Sequence, residues 1–452
     1  GKGEIMTFET KGKENNGAIY GRRSDWQDLY SIAKKYYEAL LADPGNAQFH
    51  LTDPRGASDK SGRTFNNPYQ YFFEQMHMDD AIYADESIYE YPMQQGGGND
   101  GRPYSFGRPS SGGSKAAYPC KSYGQGRINP AYFYGVFDPN DMRRDVSITM
   151  TGSNGKGVEK LIPFVPNSKA EGGGLTLNKW DENRQANPWV AAQRKSGING
   201  PYMRMSEVYL GYAEVCAALG DVVTGKQYLK TVRERSFPQG LANTDAFIAS
   251  FGNDLVRAII EERGFEYAGE GDRRWTLIRS GYLPEDIKRI KDMTKAMMDG
   301  LATKGYYEFE NGNIISAYIW TKLVDAKTIY GHRLTAQCPT DKVNDPVLYP
   351  GWRGQKDNWE EMGLNYGSST PATNLAIKGL FEIVSEEEAA SLESQGYAKV
   401  NWGIDLVDYR DEYDKYLFWD YDYVSAPIYL WPFTPNVMAA GGFTNGYGFK
   451  QE

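Results

Sequence analysis

Pro201-Tyr202-Met203-Arg204-Met205-Ser206-Glu207-Val208-Tyr209-Leu210-Gly211-Tyr212-Ala213-Glu214 opens the stretch whose reading decides the fold. Met205, Val208, Tyr209, Tyr212, Cys216 and Leu219 recur at steps of three and four residues, which gathers them on one face of a helix read as starting at Pro201. Gly220 follows, a residue suited to the left-handed backbone that ends a helix. Tyr228, Leu229 and Val232 mark a shorter amphipathic helix ahead of Arg233-Glu234-Arg235. A second pair begins with Phe247, Ile248 and Phe251. It continues through Leu255, Ile259 and Ile260 into Glu261-Glu262-Arg263-Gly264-Phe265-Glu266-Tyr267, and closes on Glu270-Gly271-Asp272-Arg273-Arg274-Trp275. Residues 201–282 therefore predict two helical hairpins packed back to back.

Around this stretch the order is looser. Residues 1–23 are polar and Gly-rich, with no period. Ser24 or Asp25 then caps a helix whose stripe is Trp26, Leu29, Tyr30, Ala33, Tyr36, Tyr37 and Leu40. Phe72-Phe73-Glu74 suggests a further helical turn, and Glu86-Ser87-Ile88-Tyr89-Glu90-Tyr91-Pro92 alternates like a short strand with a proline stop. Residues 94–125 are a long Gly, Ser, Pro, Tyr and Asn loop of the kind that tends to be functional. Residues 146–150 read as a strand, and Gly152 to Gly157 as a hairpin turn. After the core, 284–300 is an amphipathic helix with Pro284 near its start, Ile314 to Leu323 a strand bearing Trp320, and Glu386-Glu387-Glu388 the start of an exposed helix. The aromatic tail 419–449 suits an extended segment. The expected organisation is one mainly helical domain over 1–452. It comprises a helix and loops over 24–150, tetratricopeptide-like hairpins over 201–300 and a loop-rich part over 301–452.

Composition narrows the function classes. The chain of 452 residues is 40% hydrophobic and 24% charged, with 50 Gly, 34 Tyr and 10 Trp, a makeup of aromatic-bearing irregular loops that suits recognition. Its net charge of −9, without a long basic run, argues against nucleic acid as the main partner. Cys216 lies on an apolar helix face and reads as core, whereas Cys120 and Cys338 lie in loop sequence where pairing stays open. No apolar run reaches the length of a membrane span. His50, His77 and His332 form no His-Glu-x-x-His arrangement and no Cys-x-x-Cys occurs, so no metal or cofactor is expected. Gly152-Ser153-Asn154-Gly155-Lys156-Gly157 lacks the spacing of a phosphate loop. The densest charge constellation is Glu261, Glu262, Arg263, Glu266, Glu270, Arg273 and Arg274. Glu262, Glu266 and Glu270 are read as one helix face, with Arg233 and Arg279 as neutralisers. An ion network that holds helices in register is favoured over catalysis.

The residues in order resemble the SusD/RagB family of Bacteroidetes outer-membrane lipoproteins. Arg204 to Glu214 is similar to its Arg-x-x-Glu-Val-Tyr-Leu-x-x-Ala-Glu helix. Val232-Arg233, then Glu262-Arg263, Glu266, Glu270-Gly271, Arg273 or Arg274, Leu277 and Arg279 follow in the family's order. Upstream, Asp141-x-Arg143-Arg144 and Glu86-Ser87-Ile88-Tyr89-Glu90 match its Asp-x-Arg turn and Glu-x-Ile-Phe-Glu strand. At the end, Tyr429 to Pro435 and Asn445-Gly446-Tyr447 match its closing segment. Thr276 stands where the family usually has Asp, the tail lacks the usual Gln before Asn, and the family's helical N-terminal region and lipid-bearing cysteine have no counterpart, so that region is expected to be missing.

The resemblance implies a right-handed tetratricopeptide-like scaffold in a surface lipoprotein. Such a protein is not an enzyme, and it caps a SusC-like TonB-dependent outer-membrane transporter as a lid, capturing a nutrient, usually an oligosaccharide. Membrane attachment would run through a lipid anchor not present in this chain. Candidate stacking residues for a glycan are Trp180, Trp189, Trp320, Trp352 and Tyr118, all in or beside loop-rich sequence. A peptide ligand, as in RagB-type members, is the alternative within the family. A glycoside hydrolase is the alternative outside it and would need two carboxylates across a cleft.

Overall fold

The computed structural model describes residues 8–13, 19–54, 67–77, 83–97, 101–110, 121–153, 159–167, 172–182, 194–325, 373–417 and 433–442. The described chain opens with an antiparallel pair, β1 (Phe8–Lys13) and β2 (Ile19–Arg23), where the sequence shows no period. Next come α1 (Trp26–Ala42), α2 (Pro68–Gln75), β3 (Ser87–Tyr91), α3 (Arg102–Phe106) and a single π-helical turn at Tyr132–Val136. Short pieces follow: α4 (Arg143–Ser147), β4 (Ile148–Thr149), β5 (Thr151–Ser153), β6 (Glu159–Leu161), β7 (Thr176–Leu177) and β8 (Gly200–Arg204). The expected strand over 146–150 is thus half helix, its strand reduced to Ile148 and Thr149. β5 and β6 pair antiparallel as the hairpin reading requires, although the turn at 154–158 lies outside the described residues.

The helical core is α5 (Met205–Ala218), α6 (Val222–Glu234), α7 (Thr244–Ala249), α8 (Leu255–Glu266), α9 (Asp272–Ser280) and α10 (Leu283–Lys304). It is a mainly helical scaffold of tetratricopeptide-like hairpins with few, short strands. Two sequence expectations need correction. The first helix begins at Met205, not Pro201, because Pro201 to Arg204 is extended and paired with β3. Glu270 does not extend the α8 face, since that helix ends at Glu266 and Glu270 sits in the turn before α9.

Local chemistry sets these boundaries. The Asp221 carboxylate accepts from Thr224 N (3.2 Å) to cap α6, and Asp254 accepts from Arg257 N (3.0 Å) to cap α8. Asp25 occupies the N-cap of α1 but turns its carboxylate to Arg23 instead (2.8 and 2.6 Å). Gly220 has φ +92°, the left-handed turn that frees the chain to reverse into α6. Gly225 then lets α6 lie against α5, since a Cβ there would meet the Ala213 carbonyl oxygen at 2.9 Å.

Of the apolar clusters among the described residues, three bear on the site. Leu210, Ala213, Leu229, Val232, Ala258 and Ile259 bind α5, α6 and α8. Tyr69, Phe72, Phe73, Trp180 and Ile198 form a second. The largest joins Phe133, Tyr134, Phe137, Met297, Leu301 and Trp402 to the C-terminal sheet, where Trp402 Nε1 donates to the Tyr134 hydroxyl at 2.8 Å. In that sheet β11 (Tyr318–Asp325) lies between β12 (Thr373–Lys378) and β13 (Ala398–Asn401), all antiparallel; β9 (Tyr306–Glu308) and β10 (Ile314–Ser316) pair beside it. The expected exposed helix is present at Glu386–Ser394, and in the tail a helix spans Pro435–Gly441, where an extended segment is expected. No helix among the described residues is long and apolar enough to cross a membrane.

Candidate functional site

The two-stranded ribbon of β3 and β8 has a buried charged underside and an exposed aromatic upper side. Its alternation is direct: Tyr89 and Tyr91 are exposed while Glu90 between them is buried, and on β8 Tyr202 is exposed while Arg204 is buried. Two register shifts interrupt the pairing. Tyr89 faces Met203 and Glu90 faces Pro201, so Tyr202 is the extra, bulged residue on its strand. A bulge bends a strand and re-aims a side chain, and here the Tyr202 ring stands with the other two. Centroid separations are 5.6 Å (Tyr89–Tyr202), 5.4 Å (Tyr91–Tyr202) and 6.1 Å (Tyr89–Tyr91), all edge-to-face. The rings are 53%, 50% and 65% exposed in chain order, an arrangement that leaves ring surface open to a ligand.

The ribbon is fixed from below. Glu90 accepts from Ala84 N (2.9 Å), the Ser87 hydroxyl and Asn199 Nδ2 (2.9 Å), while Asn199 Oδ1 accepts from Met93 N (2.8 Å). One buried carboxylate therefore ties both strands. Arg204, at the end of β8, donates to Glu86 (3.0 Å), to Glu266 (2.5 Å) and its carbonyl (2.8 Å), and to Glu270 (2.9 Å). Arg235 donates to Glu86 (2.5 Å) and Glu266 (2.7 Å), and Arg143 to Asp141 (2.7 Å) and Glu266 (3.0 Å). Lys179 completes the cluster through Glu270 (2.7 Å). Burial by itself would push the Glu86 and Glu266 carboxyls up, but the arginines outweigh it and hold both below the usual carboxylate range. For Lys179 burial prevails over Glu270, and its ammonium is lowered to about 8.

Most of the charged residues read from the sequence fall in this network or flank it. Arg233 bonds Glu262 (2.9 Å), Arg263 bonds Glu207 and Asp272 (both 2.6 Å), and Arg273 bonds Glu261 (2.7 Å) and Asp286 (3.0 Å). Arg279 bonds Glu214 (2.8 Å), and Arg274 lies half-buried on α9. Among the described residues no group of three or more His, Cys, Asp or Glu is arranged to hold a metal ion.

The expected stacking residues fare differently. Trp180 is only 3% exposed, packed with Tyr69, Phe72 and Phe73 beneath the Arg102 guanidinium (5.7 Å). Trp320 is 6% exposed on the central strand β11. Both are core residues with no open face for a ligand, which corrects the expectation that they stack on a glycan. Trp189, Trp352 and Tyr118 lie outside the described residues, as do Cys120 and Cys338; Cys216 is buried and free. The tyrosines that do form a platform were within reach of the sequence. The Tyr89-Glu90-Tyr91 alternation puts both rings on one face, whereas the sequence around Pro201 reads Tyr202 as helical.

A sequence model described as the SusD family matches residues 48–433. The chain belongs to the SusD family. This SusD-family protein is 28% identical over 160 residues to SusD-like protein P25 of Formosa agariphila, covering 35% of this chain and 26% of that protein. It is also similar to surface glycan-binding protein A from Bacteroides thetaiotaomicron, with 18% identity, a TM-score of 0.39, and 58% of this chain against 52% of that one. That protein has been solved in complex with laminarihexaose. A third similarity is to NanU of B. fragilis, with 17% identity, a TM-score of 0.36, and 60% and 53% of the two chains. The SusD-family chain thus spans about a quarter of the curated relative it matches and about half of these solved structures.

Proposed function

We propose that this SusD-family protein captures an oligosaccharide at the outer face of the outer membrane. It delivers the sugar to a SusC-like TonB-dependent transporter over which it acts as a lid, and a lipid anchor supplies its membrane attachment. It binds without chemically changing its ligand. The observation that carries this reading is the exposed tyrosine triad on a ribbon pinned by Glu90 and Arg204. Phenol rings offer an apolar face to the C–H side of a pyranose and a hydroxyl to its oxygens. The ribbon is already ordered, so little conformational freedom is lost when a sugar docks. The glycan-binding descriptions of its structural neighbours, one solved with laminarihexaose, lie in the same direction.

The test is a binding screen of the intact chain against neutral polysaccharides and peptide mixtures, with Tyr89→Ala, Tyr91→Ala and Tyr202→Ala as variants. Each substitution is expected to weaken glycan binding about threefold to tenfold, the worth of one aromatic contact, with the circular dichroism spectrum unchanged. Undiminished affinity in all three would remove the platform. Retention of peptides but no glycan would change the ligand class. Release of shorter sugars from the panel would replace binding with hydrolysis.

A further inference from the structure

A second concavity lies on the helical scaffold, between α6 and the turn that leads into α7. It encloses about 1200 Å³ and is lined by Lys226, Gln227 and Lys230 on one side and by Gln239, Asn243 and Thr244 on the other, with Arg235 among its walls. Ligand pockets commonly hold about 300–1,000 Å³, so this one has room for more than one sugar ring. Two features show that it is polar by construction. Thr244 Oγ1 is buried and has no hydrogen-bond partner in the protein, with Thr244 as a whole 7% exposed. Buried polar atoms are normally satisfied, and one left over in a cleft wall calls for a partner from outside. Asn243 holds a left-handed backbone (φ 43°), which asparagine tolerates, and its side chain does not cap α7. It stands at the cleft instead.

Charge decides what kind of ligand fits. Lys226 is paired with Asp245 (2.5 Å) and Lys230 with Glu234 (3.5 Å), and the two terminal nitrogens of Arg235 are taken by Glu86 and Glu266. Each cation at the cleft already has its carboxylate, which leaves no excess charge to attract an anion. What remains on offer is amides and a hydroxyl beside the apolar surface of Pro238 and Leu51. We infer that this cleft is a second binding site, separate from the tyrosine platform, and that its ligand is a neutral sugar held by hydrogen bonds from Thr244, Gln227 and Asn243.

Saturation-transfer NMR on the intact chain tests it, with glucose, galactose, mannose and xylose as neutral probes and glucuronate as the charged control. At least one neutral sugar is expected to give a signal that falls at least tenfold in Thr244→Val and in Gln227→Ala and persists in Tyr202→Ala. Glucuronate should bind more weakly than glucose. Thr244→Val removes a hydroxyl that has no protein partner, so the variant should fold as well as the parent; exposed Gln227 provides a second variant with no folding burden. The proposal is overturned by silence across the neutral panel, by signals that survive both cleft substitutions, or by preference for the uronate. A loss confined to Tyr202→Ala would place all binding on the platform and refute the cleft while leaving the oligosaccharide reading intact.

Discussion

Glu266 remains an ion in the protein interior because Arg143, Arg204 and Arg235 all reach it. Taking one member from such a set leaves a buried charge uncompensated, at a cost of about 3–5 kcal/mol. Glu266→Gln is therefore expected to lower unfolding free energy by about that amount, read as a shift of the urea midpoint at constant m-value. A change below about 1 kcal/mol, the scale of an exposed pair, would show that the network is no more than surface-like. The substituted side was visible in the sequence, since 261–274 is crowded with charge. The answering side was not, because Glu86, Arg143, Lys179 and Arg204 are scattered along the chain and only the fold collects them. Trp180 and Trp320 turned out buried for a related reason. Loop-like flanks say nothing of burial, and Trp180 is enclosed by Tyr69 and Phe72 from a segment far upstream.

Helices were more legible than strands. The stripes of α1, α5, α6, α8 and α10 are written in steps of three and four within one segment, so each can be read alone. β8 cannot. Pro201 looks like the first residue of a helix, and only its pairing with Ser87–Tyr91 makes 200–204 extended. Strand identity depends on a distant partner, and the misplacement of Tyr202 followed from that. The caps were legible in principle, and their worth is measurable. Asp254→Ala removes the acceptor of Arg257 N at the head of α8 and is expected to cost about 1 kcal/mol. Asp254→Asn, which keeps a capping oxygen, should recover most of it. Equal losses in the two variants in urea titrations would show that the cap is not what Asp254 contributes.

For the molecule as a whole, the buried charges impose a pH dependence with a definite sign. Glu86 and Glu266 have folded-state values below their ordinary 4.5, so the unfolded chain takes up their protons first. Their stabilisation is complete above the ordinary value and declines as pH falls below it toward the folded values. Lys179 acts at the other end. Its folded value of about 8 lies below the ordinary 10.5, so the cost of burying its charge fades as pH rises between those two values. Thermal midpoints across pH 3 to 10 should drop steeply on the acid side, and added salt should not mimic the drop, because enclosed pairs are poorly screened. A flat acid limb would mean that the carboxylates are not held as the structure places them.

The same cluster bears on how the chain is made. Arg204 is synthesised roughly sixty residues ahead of its partners Glu266 and Glu270, and Glu86 well over a hundred ahead of Arg235. While the polypeptide is emerging, the tyrosine ribbon can pair and Arg204 can meet Glu86, but the arginine lacks Glu266 and Glu270 until α8 and the turn beyond it have left the ribosome. Full anchoring of the tyrosine surface thus comes late, and a nascent chain halted before Glu266 would display the tyrosines on a ribbon held by Glu86 and Glu90 without its deeper carboxylates.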